Sequence, residues 1–197
     1  MTPSTDSAPT PSASDAECLT LTRQLRRRGT VVLSVFALAW AFAGASGTGA
    51  ATDMVPVAVE AAALAITAVA LYLGLRKDAR PSPRTVDLPA NWARGVGIVN
   101  GVELLAIVAV IAAANSAGRP AYIPAGIALV VGLHFFPLAR LYDQWQYRWT
   151  GALMTVAAVV GAVLVLAGAP AGSVRVVVGL ACAAVLWGSA CHLAVRG

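Results

Sequence analysis

Charge is what this chain has least of. Asp, Glu, Lys and Arg make up 12% of its 197 residues, against roughly 25% in an average soluble domain. A soluble fold of this length needs far more charge to cover its surface, so that class is excluded. Disorder is excluded for most of the chain, because disordered segments are poor in apolar residues and 58% of this sequence is hydrophobic. Lysine occurs once, histidine twice and cysteine three times. Cys18, Cys182 and Cys191 form no Cys-x-x-Cys or His-Cys cluster, which removes a zinc knuckle and a redox pair. On one helix, Cys182 and Cys191 stand about 13.5 Å apart along the axis, too far for a disulfide. Enzyme signatures are missing too: there is no Walker loop, dinucleotide fingerprint, G-x-S-x-G elbow or H-E-x-x-H. Ser189 and His192 lack an acid partner, and the two histidines give no haem pair. The motifs give no reason to expect an enzyme, and no cofactor or metal is expected.

What the sequence does have is long apolar blocks. Six can be read: about Thr30 to Ser46, Met54 to Leu75, about Trp92 to Ala114, about Tyr122 to Tyr142, Trp149 to Ala167, and Val174 to Val195. Most reach or approach the roughly 20 residues that a helix needs to cross the hydrocarbon core. None shows the alternation of an outer-membrane barrel strand. The expected fold class is all-α, an integral membrane bundle of six transmembrane helices arranged as three helical hairpins. Residues 1–29 are expected to be a disordered cytoplasmic tail that ends in Arg23, Arg26, Arg27 and Arg28, and 30–197 the membrane domain.

The net charge of +5 would suggest a nucleic-acid partner in a soluble protein. Here the basic residues sit in short clusters between apolar blocks, so they read as topology signals and no nucleic acid is expected. With the N-terminus inside, twelve basic residues fall on the inner side and only Arg119 and Arg175 on the outer side. That bias places both termini in the cytoplasm of a bacterial inner membrane. An alternative for the first block is a secretory signal, with Arg26 to Arg28 as its basic region and cleavage after Ala43. Arg28-Gly29, Arg94-Gly95 and Arg148 near Gly151 open the odd helices, as a triplicated hairpin would.

An ionisable side chain in hydrocarbon costs roughly 2.5–3.5 kcal/mol on insertion scales, so each needs a reason. Three lie within the blocks: Glu60, Glu103 and His134. Glu103 and His134 fall at similar depth on consecutive antiparallel helices, with Asn100 on the same side as Glu103. These residues form a candidate polar centre, with Glu60 as an outer polar station. Gly97 and Gly101 make a G-x-x-x-G pair that admits a close helix neighbour. Pro137 removes an N–H and frees the carbonyl of Leu133, so it is expected to break the fourth helix. The bland alternative is that all three ionisable groups are neutral bundle residues held by hydrogen bonds.

The stretch from Arg140 to Trp149 is dense in aromatic and basic residues, as at a membrane boundary. A sharper reading makes Arg140, Asp143 and Arg148 an anionic-lipid site, or the pocket of an enzyme acting on lipid. Residues 132–139, GLHFFPLA, carry a resemblance. The string resembles the G-L-H-F-x-P-L-A signature of small, uncharacterised multi-pass membrane proteins of bacteria, and implies that His134 and Pro137 belong to a recurring motif. The leading functional expectation is passage or sensing of a small solute or of protons. The rival is an accessory subunit of another membrane protein. The expected partners are the lipid bilayer and either a second copy of the chain or another membrane protein.

Overall fold

A computed structural model of the chain describes residues 13–49, 54–76, 88 and 90–196. The first twelve residues of the expected tail and the Pro- and Arg-rich linker 77–87 lie outside the described residues. Among the described residues six α-helices follow one another: α1 Ala13–Ala45, α2 Met54–Leu75, α3 Trp92–Ser116, α4 Ile123–Leu141, α5 Gln146–Leu166 and α6 Ala171–Arg196. A single 3₁₀ turn, Pro120–Tyr122, precedes α4. All six helices are long and apolar enough to cross a membrane. The helical choice is forced, because hydrocarbon leaves no partner for a backbone N–H or C=O outside its own segment.

One expectation needs correction at the start of the chain. The tail was expected to run to residue 29, whereas α1 is already helical from Ala13. Its extra turns have something to pack on. Thr22, Arg26 and Thr30 recur every four residues and are all buried. Arg26 donates from Nε to the carbonyl of Leu193 at 2.8 Å and from its terminal nitrogen to that of Ala194 at 2.7 Å. The last carbonyls of a helix have no partner of their own, so the guanidinium caps α6 and extends α1 at once.

The three hairpins are not equivalent. The α5–α6 hairpin sits in the middle, with α1 packed along α6 on one side and α4 along α5 on the other. These two seams join helices of different hairpins, and facing glycines let the backbones approach. A Cβ on Gly179 would stand 2.6 Å from the backbone of Gly44, and one on Gly172 would stand 2.8 Å from the carbonyl of Gly47. Across α4 and α5, a Cβ on Gly132 would stand 2.9 Å from the backbone nitrogen of Thr155, and one on Gly151 would stand 2.6 Å from the carbonyl of Gly132. Close approach maximises dispersion contact where lipid offers no hydrophobic drive for association. Hydrogen bonds add to both sides of α6: Thr150 to Ser189 at 2.6 Å, and the Trp187 indole to Thr67 at 3.0 Å.

The expected groove on α3 is not filled. No atom stands within 4 Å of a Cβ built on Gly97 or Gly101, because α3 rests on α4 with its other face and has no buried residue. Pro137 does not break α4 either, which runs continuously from Ile123 to Leu141. Buried residues on both sides of it, Val131, Gly132, Phe135, Leu138 and Ala139, keep the helix seated while one backbone bond is lost. The ends of α3, α4 and α5 share one device. At each, a residue with positive φ (Gly118, Asp143 and Gly168) follows the last turn, and the next N–H reaches back five residues to a free carbonyl. Asp143, expected at a lipid site, serves as the left-handed residue that ends α4. Gly168 ends α5 in the same way.

Candidate functional site

The basic residues come together at one end of the bundle. Arg26 on α1 meets the end of α6, Gly74 near the end of α2 lies against Thr30, and Gly95 on α3 lies against Leu141 on α4. Arg23, Arg27, Arg28, Arg76, Arg94, Arg140 and Arg148 therefore share that end, whereas Arg119 and Arg175 mark the opposite one.

A cavity of about 340 Å³ opens from the basic end. It exists because α1 packs on α2 and α6 while α3 packs on α4, which leaves space between α1 and the α3–α4 hairpin. Leu33 and Phe36 from α1, Val96 from α3, and Val131, Phe135 and Leu138 from α4 form most of its walls. Leu186 on α6 and Tyr147 on α5, both buried, form its inner wall. Arg28, Tyr142 and Gln144 stand at the mouth. From Arg28 to Phe36 the wall runs about 12 Å along α1.

Asn100, Glu103 and His134 line the same cavity. His134 Nδ1 lies 3.3 Å from Glu103 Oε1 and 2.5 Å from the carbonyl oxygen of Val131. A carbonyl oxygen only accepts, so the contact with Val131 assigns the proton to Nδ1. Nε2 is then the ring nitrogen left to take up or release a proton. Both side chains keep some exposure, 13% for His134 and 17% for Glu103, so the pair is reachable from the cavity. The ring of Phe135 packs beside the imidazole with centroids 4.5 Å apart, and Tyr147 packs against Phe135 in turn at 5.7 Å. At the mouth, burial pushes the Tyr142 phenol above its ordinary range, so it stays a neutral hydrogen-bonding group.

Glu60 does not join this group. It lies half-buried on α2, which packs on α1 and α6 and touches neither α3 nor α4. The outer polar station is thus separate from the Glu103–His134 pair. Arg140 and Arg148 are exposed, and neither they nor Asp143 line the cavity. Among the described residues no three His, Cys, Asp or Glu side chains come together to hold a metal ion. Cys182 and Cys191 are both free thiols.

Several cavity residues carry no distinguishing signal in the sequence. Arg28 stands among four arginines that all look like topology markers. Tyr142, Gln144 and Tyr147 lie in the aromatic boundary segment, and only the packing of α5 under α4 turns two of them inward. Arg26 was findable, since it continues the four-residue spacing of Thr22 and Thr30 along one face of α1.

Fold and cavity together define a six-helix multi-pass membrane protein with polar side chains lining a cavity between its helices. Residues 95–194, from α3 to near the end of α6, match the family of unknown function DUF7010, and the chain belongs to that family. The matched segment contains Asn100, Glu103, His134 and the stretch 132–139, while α1 and α2 lie outside it. No curated protein and no solved structure matches the chain.

Proposed function

We propose that the protein binds a small solute in the cavity between α1 and the α3–α4 hairpin, and moves or senses it in concert with protons at Glu103 and His134. The observation that carries this reading is the 3.3 Å contact between the carboxyl and the imidazole inside a cavity. Two proton-exchanging groups at membrane depth are costly and are the usual parts of a proton relay. The volume falls at the lower end of the range for small-molecule pockets, about 300–1,000 Å³, which favours a small solute. Clustering of the basic residues at the mouth supports a cytoplasmic opening, with both termini inside a bacterial inner membrane.

Proteoliposomes loaded with a pH-sensitive dye test the reading. An imposed pH gradient should collapse faster with the wild-type protein than with a chain carrying Glu103→Gln and His134→Ala. Equal rates for the two chains would end it.

A further inference from the structure

The contents of the cavity narrow the solute further, on the understanding that the cavity is a solute site. We infer that its ligand is a small organic cation with an apolar, preferably aromatic, body.

The charge inventory of the cavity is short. Among the described residues Glu103 from α3 is its one acid. The other titratable or charged groups facing the space are His134 from α4, Tyr142 from the α4–α5 turn, Tyr147 from α5 and Arg28 from α1, while α6 gives only Leu186. Arg28 is exposed at the mouth, where solvent screens it. Glu103 is deep, and with its proton gone it leaves one negative charge that the tautomer assigned above does not neutralise. A carboxylate offers about four lone-pair positions and the imidazole faces one oxygen. The remaining positions open onto the cavity.

Four aromatic side chains line the cavity, Phe36 and Phe135 along its wall and Tyr142 and Tyr147 nearer the mouth. Ring faces carry negative potential and attract cations, more strongly where water is excluded. An anionic ligand would set negative charge against Glu103. A neutral apolar ligand would cover Asn100, Glu103 and His134 without replacing their water, which is costly. A cation meets the carboxylate with its charge and the Leu33, Phe36 and Val131 walls with its body. It also takes the place of a proton at the carboxyl, which links this ligand class to proton exchange.

Equilibrium dialysis of the detergent-purified full chain with labelled benzyltrimethylammonium tests the inference, because that probe stays charged at every pH. Saturable binding is expected, weakened about tenfold or more in Glu103→Gln and partly recovered in Glu103→Asp. Matching thermal unfolding of the variants shows that the fold is intact. Unlabelled neopentylbenzene, the uncharged carbon analogue, should compete about tenfold more weakly than the cation, and benzenesulfonate should not compete. Binding that is unchanged in Glu103→Gln overturns the inference. So does competition by benzenesulfonate, or by neopentylbenzene at equal strength, although either still leaves a solute site. Lack of saturable binding overturns the cation class too, and the proton-flux comparison then stands or falls by itself.

Discussion

Helices α6 and α3 have 26 and 25 residues and are both apolar, yet the bundle uses them in opposite ways. Val174, Val178, Cys182, Leu186, Ala190 and Leu193 form a buried stripe along α6, and α1, α2, α4 and α5 all pack on it. By contrast α3 has no buried residue and lies at the edge on α4. The tightly packed helix carries almost no chemistry, and the loosely held one carries Glu103. A small shift of α3 changes the Glu103–His134 separation while little packing is lost, which is the pattern of elements that move. A locked block of α1, α6, α5 and α4 thus faces one lightly held helix across a polar contact.

The largest effect should come from forcing open a locked seam. Gly179→Leu drives a side chain into the backbone of Gly44 and the carbonyl of Trp40, and should cost about 3 kcal/mol or more, or abolish folding. Thermal unfolding in detergent reads this, and a midpoint equal to wild type would contradict the seam. Next comes Arg26→Ala, which leaves the carbonyls of Leu193 and Ala194 without their donor. The expected loss is about 1–3 kcal/mol, and faster amide exchange should be confined to the joined ends of α1 and α6. Gly97→Ala sharpens the contrast from the other side. Its Cβ meets open space, so the variant should be more stable by about 0.5–1 kcal/mol through helix propensity. A marked loss instead would reveal a close neighbour on that face. Smallest is Thr150→Val, which removes the hydrogen bond to Ser189 and should cost about 0.6 kcal/mol. A cost near that of Arg26→Ala would show that this bond is part of a larger network.

Much of the locked block was legible in the sequence, and its details were not. Block length and apolar content were enough to place α2 from Met54 to Leu75 and to set the number of spans. The start of α1 was missed because Ser, Thr, Pro and acids resemble a disordered tail, while the reason for its helicity is a partner 167 residues away, the carbonyl of Leu193. Glycine spacing also misled. Gly97 and Gly101 have the familiar pattern and no neighbour, whereas Gly132 and Gly151 are mutually fitted across two helices without a motif on either. Close approach is a property of a pair, and one helix at a time does not reveal it. The polar pair was legible because rarity is informative in a chain so poor in charge. Depth counting put Glu103 and His134 at one level and Glu60 nearer the outer face, but it gave no azimuth and so no statement of which side chains face one another. The cavity itself was not legible, since it arises from which helices fail to touch.

The most direct test of a cavity open at the basic end uses thiol labelling. With Cys18, Cys182 and Cys191 replaced, Asn100→Cys and Val102→Cys each place one thiol on α3, the first in the cavity and the second on its exposed apolar face. A charged, membrane-impermeant maleimide should label position 100 when it is added to the side bearing the basic residues, fail from the other side, and leave position 102 unlabelled from both. Equal labelling at the two positions, or labelling of 100 from the side of Arg119 and Arg175, would contradict the account.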